Sequence, residues 1–124
     1  MMIFILLVLI SHQHVIADEI RQKQLVNQVV KREKISDRIA QVMSRVDRAN
    51  FVSISPYSDS PASIGYGVTI SAPHMHAYAL KYLENSLHPG AKVLDIGSGS
   101  GYLTLCFLYM LESEGEVYGV EHVP

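Results

Sequence analysis

The sequence predicts an α/β fold built on a parallel sheet, and three observations carry that expectation. In VLDIGSGSGYLT, residues 93–104, an apolar run ends in Asp95 and turns at once into Gly97, Gly99 and Gly101, after which Tyr102 restarts an apolar helical pattern. In VYGVEHV, residues 117–123, a second short apolar run ends in an acid, Glu121, 26 positions after Asp95. Upstream of both, apolar residues recur at helical spacing. Two parallel strands joined through a helix are the opening unit of a doubly wound, Rossmann-like sheet. A full sheet needs several more strands and crossovers, so the expectation is a partial domain, truncated after its second strand, with a free edge and one uncovered face.

Taken in order, the chain opens on MMIFILLVLI, ten uninterrupted apolar residues. The run is too short to span a bilayer, and Val15 and Ala17 are small residues ahead of Asp18. Residues 1–17 are therefore a hydrophobic leader or a candidate signal peptide. The missing positively charged start speaks against a signal, and a wrongly assigned first exon or an unusual buried helix are the rivals. No stable membrane span is expected.

Residues 18–52 predict an N-terminal helical extension of two helices, the first with Leu25, Val26, Val29 and Val30, the second with Ile35, Ile39, Val42, Met43 and Val46. Eight Lys or Arg face five acids between Asp18 and Arg48, but in no long run, and the whole chain carries a formal charge of -2. That pattern predicts a solvated helix face and not a nucleic-acid site. Residues 53–124 form the partial cofactor-binding domain, with the boundary near Ser53.

Residues 56–84 are dense in Ser, Gly and Pro, then become helical abruptly. A connection this long in a small domain usually carries function. Pro73 fits a first helical turn with Ser71 or Ala72 at the cap, and His76, Ala79, Leu80, Leu83 and Leu87 then share one apolar face. Ser71 would either cap free amides or face a ligand at the positive helix end. His74 and His76 are two apart on a helix and point apart, and no acid or second cysteine is placed to join them, so no metal is expected.

In the glycine turn, G-x-G-x-G with a preceding acid suits an amino or hydroxyl donor better than a pyrophosphate, which favours S-adenosyl-L-methionine over a nicotinamide dinucleotide. Glu121 stands where a carboxylate would accept from a ribose diol, with His122 near the adenine; the alternative is a solvated strand-end charge and an ordinary loop histidine. The single cysteine, Cys106, allows no internal disulfide, and its helical run with Leu103, Phe107 and Met110 predicts a buried core thiol. The 48% hydrophobic content is inflated by the leader and otherwise fits a globular domain without repeats.

The stretch SPYSDSPASIGYGVTISAPHMHAYALKYLE followed by LHPGAKVLDIGSGSGYLT closely resembles the protein-L-isoaspartate (D-aspartate) O-methyltransferases. The likeness runs from about Leu25 to Glu121, and TISAPHMHA is more diagnostic than the glycine turn, which class I methyltransferases share. The resemblance implies that fold, S-adenosyl-L-methionine as cofactor, and an active-site role for Ser71. It implies cofactor contacts at Ile70, Ser71, Ala72, Pro73 and His76, at Ile96, Gly97, Ser98, Gly99 and Ser100, and at Glu121 and His122, beside the contact at Asp95 read above from the acid that precedes the glycine turn. It implies methylation of the free carboxylate of L-isoaspartyl residues in damaged proteins, for repair, by a monomer that is cytoplasmic, or secretory if residues 1–17 act as a signal. Lys34 departs from the family, standing where a glycine is common. Two other readings stay open: a truncated, non-catalytic family member, and a different S-adenosylmethionine-dependent methyltransferase.

Overall fold

The computed structural model describes residues 2–123, with side chains described from residue 13 onward. Helix α1 runs from Met2 to Glu33 without a break. No break in the backbone marks the expected boundary at residue 17, and the side chains of most of the leader lie outside the described residues. Val15, Ile16 and Ile20 are exposed, so the described part of this stretch is not the buried helix considered above. Core contact begins at Gln22, whose amide donates to the carbonyls of Met43 (2.7 Å) and Val46 (3.1 Å) and so serves the last turn of helix α2, Asp37–Arg45, where carbonyls lack helical partners.

The turn between these helices explains the Lys34 departure. Lys34 has φ +50° and its amide bonds the Val30 carbonyl at 2.9 Å, a left-handed C-terminal cap that glycine adopts without a Cβ penalty. Ser36 caps α2 by accepting from the Ile39 amide, and Arg38 reaches the carbonyls of Leu87 and Met110, tying α2 to the elements that follow. A short 3-10 turn, Arg48–Asn50, closes the extension.

Residues read above as a loop contain a β-hairpin, β1 (Ala62–Gly65) and β2 (Val68–Ile70), paired antiparallel with a bulge between Ser63 and Gly65. Tyr66 and Gly67 turn it with φ +50° and +73°, the sign pattern of a type I′ turn. Helix α3 (Pro73–Leu83) follows, with Pro73 in its first turn as expected. Its buried face is Pro73, His76, Ala77 and Leu80; Leu83 is exposed, so the apolar face predicted through Ala79 and Leu83 is rotated toward Ala77. Strand β3 (Lys92–Ile96), helix α4 (Tyr102–Met110) and strand β4 (Glu116–Val120) form the predicted strand–turn–helix–strand unit, with β3 and β4 parallel from Lys92–Glu116 to Ile96–Val120.

The core lies between helices and sheet. Leu25, Val26 and Val29 of α1, Ile39, Val42 and Met43 of α2, Ala77 and Leu80 of α3, and Tyr102, Cys106, Phe107 and Met110 of α4 are all buried, Cys106 as an inert core thiol. Val93 and Val117 pack against this cluster from one face of the sheet. The opposite face is bare: the cross-strand pairs Leu94–Tyr118 and Ile96–Val120 are 59%, 55%, 79% and 54% exposed. Among the described residues no helix is long and apolar enough to cross a membrane.

Candidate functional site

The site is assembled where the ends of β2, β3 and β4 meet the starts of α3 and α4. After β3 the chain must reverse within five residues to start α4. Gly97, Gly99 and Gly101 accomplish this with φ of +79°, +54° and +83°, conformations L side chains rarely adopt. The turn is anchored to the next strand, because the amides of Gly97 (2.8 Å) and Ser98 (3.2 Å) both donate to the Val120 carbonyl. Asp95 at the strand end accepts from the Thr104 hydroxyl at 2.6 Å, which fixes the carboxylate under the turn.

Two hollows flank this turn. One, about 260 Å3, is lined by Ile70, Ser71, His76, Asp95, Gly97, Ser98, Tyr102 and Leu103, among others. The second, about 290 Å3, is lined by Asn50, Phe51, Ile64, Tyr66, Val68 and Glu121. They share Gly99 and Ser100 as a common wall. Each falls just short of the range of roughly 300–1,000 Å3 usual for ligand sites.

Glu121 closes the junction. One of its oxygens accepts from the Gly99 amide at 2.8 Å, and the other accepts from the amides of His122 (2.8 Å) and Val123 (3.1 Å). The Val123, Gly99 and His122 amides hold its carboxyl below the usual range, so it stays ionised.

Ser71 precedes the α3 cap. The cap residue is Ala72, which makes no side-chain hydrogen bond, so the capping role considered for the Ser71 hydroxyl is not realised. A residue distant in sequence serves instead: Asp59 accepts from the His74 amide at 2.9 Å, pairs with His74 Nδ1 at 2.8 Å, and holds Arg32 at 3.1 Å. Burial pushes the Asp59 carboxyl up, but the His74 bonds outweigh it and leave it below its ordinary value. This corrects the expectation that no acid stands beside the two histidines. His74 faces Asp59 while His76 faces Arg48 and Tyr102, and among the described residues no three metal-binding side chains cluster.

His76 is buried on the inner side of the first hollow, its ring 4.8 Å from that of Tyr102. Burial, with the nearby Arg48 cation second, lowers its pKa to about 4, so the imidazole is neutral near pH 7. Arg48 is itself buried, which corrects the reading of the whole basic segment as a solvated face.

Of the residues singled out in the sequence, the structure brings together Ile70, Ser71, His76, Asp95, Gly97, Ser98, Gly99 and Ser100 around the first hollow, with Glu121 across the shared wall. Ala72 and Pro73 are buried behind it. Ile96 projects onto the bare sheet face, so only its backbone adjoins the turn, and the His122 side chain is 92% exposed and lines neither hollow. Sequence reasoning missed Thr104, Asp59, Arg48 and the hairpin residues Ile64, Tyr66 and Val68. The hairpin had one signal, the Tyr-Gly pair between short β-branched stretches; Asp59 had none, since its partner is fifteen residues away.

Comparison with known proteins places this geometry. The model of the family described as Protein-L-isoaspartate(D-aspartate) O-methyltransferase (PCMT) matches residues 20–124. Protein-L-isoaspartate O-methyltransferase 1 of Arabidopsis thaliana is 59% identical over 91 residues, 72% of this chain and 40% of that protein. The protein-L-isoaspartate O-methyltransferase of Caenorhabditis elegans is 55% identical over 89 residues, with the same coverage, 72% and 40%. A crystal structure from Plasmodium falciparum, described as a protein-L-isoaspartate O-methyltransferase in complex with S-adenosyl-L-homocysteine, superposes with a TM-score of 0.78 at 43% identity, covering 82% of this chain and 49% of that one. The chain thus spans about 40% of the length of these curated relatives.

Proposed function

Because the chain belongs to the protein-L-isoaspartate(D-aspartate) O-methyltransferase family, we propose that it binds S-adenosyl-L-methionine at the glycine turn, across the two hollows that flank it, and serves methyl transfer to the free carboxylate of L-isoaspartyl and D-aspartyl residues in damaged proteins, a repair reaction. The observation that carries this reading is the convergence of Ser71, His76 and Asp95 on one side of the glycine turn with Glu121 on the other. The residues fit the cofactor: the space where a Cβ would stand at Gly97, which lines the first hollow, is open, so a ligand can lie against the backbone there. Asp95 offers a carboxylate to an amino group, and the ionised Glu121 offers one to a diol.

When bound, the cofactor supplies a methyl group on a positively charged sulfur. The residues of this chain have the task of alignment. An isoaspartyl carboxylate is already ionised near neutral pH, so no general base is required. The buried His76 agrees with that, since its lowered basicity makes it a poor proton acceptor and, being neutral, it adds no charge. The Ser71 hydroxyl is on an exposed residue at the rim and orients the carboxylate by donating a hydrogen bond without taking a proton. The cofactor leaves demethylated, and the methyl ester closes spontaneously to a succinimide as the neighbouring backbone nitrogen attacks the ester carbonyl and methanol departs; water then opens the ring to isoaspartate or to normal aspartate, which gives the chain another chance of restoration.

Methyl transfer to an isoaspartyl peptide, run beside its normal aspartyl counterpart, tests this reading: turnover confined to the isoaspartyl peptide supports it, and turnover of neither peptide or of both overturns it. Ser71→Ala should lower turnover at least about tenfold while leaving S-adenosylhomocysteine affinity within about twofold; full turnover in the variant would overturn the role of Ser71. The same reading makes the protein a monomer that engages peptides and not nucleic acid, located in the cytoplasm, or in the secretory pathway if residues 1–17 act as a signal. N-terminal sequencing of the mature protein decides between the two locations.

A further inference from the structure

Arg48 has a property the proposed function does not use. It is 1% exposed, among the largest fully buried side chains of the molecule, yet it makes no ion pair with a carboxylate among the described residues. Its guanidinium donates to the Ser71 carbonyl at 2.8 Å, stands 3.5 Å from His76 Nδ1 and lies 5.6 Å from the centre of the Tyr102 ring. Its Nε has no partner. Asp59, the carboxylate whose charge acts on it, is bound to His74 and Arg32, and Asp47, its neighbour in the chain, accepts from the Ala49 amide and the Tyr57 hydroxyl. Buried charges are ordinarily paired, because an isolated one forfeits its hydration without recompense. Here the positive charge is left uncancelled directly behind the residue that fronts the hollow.

We infer that Arg48 is a positioning residue for the anionic substrate, fixing the Ser71 backbone through its carbonyl while its uncompensated charge draws the isoaspartyl carboxylate toward the Ser71 hydroxyl. The inference rests on the proposed function and names the charge that function needs. The neutral His76 stands beside the guanidinium as an uncharged neighbour, and Tyr102 covers it with a ring face. A strut alone would have no use for charge; a neutral donor of the same reach would hold the Ser71 carbonyl. The charge also has a sign consequence. It favours a carboxylate and disfavours a sulfonium, so it should act oppositely on the peptide and on the cationic donor, while the demethylated cofactor, which lacks the sulfonium charge, should be indifferent.

The test is titration calorimetry on the whole chain and on Arg48→Lys, Arg48→Gln and Arg48→Met, with S-adenosylhomocysteine, S-adenosylmethionine and an isoaspartyl hexapeptide added to the homocysteine complex. Loss of charge should weaken the peptide about tenfold, leave S-adenosylhomocysteine within about twofold, and shift the ratio of the two cofactor affinities at least about threefold toward S-adenosylmethionine. Arg48→Lys, which keeps the charge, should retain peptide affinity within about threefold. Peptide affinity unchanged in the neutral variants, or all three ligands weakened together, would overturn the inference and leave Arg48 a structural strut. Should both neutral variants lose their helical circular dichroism, Arg48→Lys decides alone: retained peptide binding supports the charge, and its loss in a folded protein refutes it. Failure of the unaltered chain to take up S-adenosylhomocysteine sinks the proposed function, whereas uptake without peptide binding sinks only this inference.

Discussion

Lowering the pH from about 7 to about 5 should protonate His76 in the unfolded chain well before it does so in the folded one. The imidazole is buried against Tyr102 and Arg48, and burial, then the Arg48 cation, hold its pKa at about 4, against an ordinary value of 6.5. Between those values the unfolded state binds more protons, so stability falls as pH falls. The contribution is fully present above pH 6.5 and fully lost below about 4. At about 1.36 kcal/mol for each tenfold difference in proton affinity, the whole window is worth about 3 kcal/mol, of which about 2 kcal/mol should be gone by pH 5. The carboxylates held low in the fold, Asp59, Glu116 and Glu121, titrate from ordinary values of 3.8, 4.5 and 4.5 and so act mainly below this window. Urea denaturation of the whole chain and of His76→Phe at the two pH values isolates the effect, since every other group is common to both. The variant should lose about 2 kcal/mol less on acidification. Parallel pH profiles for the two proteins would refute the buried, neutral assignment.

Three further outcomes follow from particular backbone and packing positions. Gly115→Ala would place a Cβ 2.5 Å from the Ala91 carbonyl oxygen and 2.5 Å from Leu111 Cδ1, and should cost about 1–3 kcal/mol in chemical denaturation; a neutral result would contradict the close approach of the α4–β4 connection to β3. Lys34→Gly relieves a left-handed residue at φ +50° and should raise stability by about 0.5–1 kcal/mol, visible as a melting temperature a few degrees higher. Replacing Leu94 and Ile96 together by Thr should change unfolding free energy by less than about 1 kcal/mol in urea denaturation, since both side chains are exposed; a larger loss would mean that the face is covered in solution.

The glycine turn and its flanking strands were legible because the physics there is local. An alternating glycine pattern after an apolar run has few uses besides a reversal at positive φ, and the structure uses all three glycines that way. The α1 and α2 core positions were legible for the same reason, since helical periodicity alone sorted Leu25, Val29, Ile39 and Met43 inward. The hairpin was not, because its strands span only four and three residues and Tyr66, a residue that seldom adopts positive φ, occupies the first turn position. Arg48 and Asp59 escaped for a different reason: their roles depend on partners 23 and 15 residues away, and composition alone assigns a Lys- and Arg-rich stretch to water. Ser71 could be placed near a helix start, but which residue supplied the cap depended on Asp59.

The carbonyl of Val120 that anchors the Gly97 and Ser98 amides belongs to the same strand whose outer side chains, Tyr118 and Val120, meet solvent. The reversal after β3 is thus held by hydrogen bonds to β4, so the positions of the two amides follow the pairing of the two strands. A slip of one residue in that register would take away their common acceptor and release the turn.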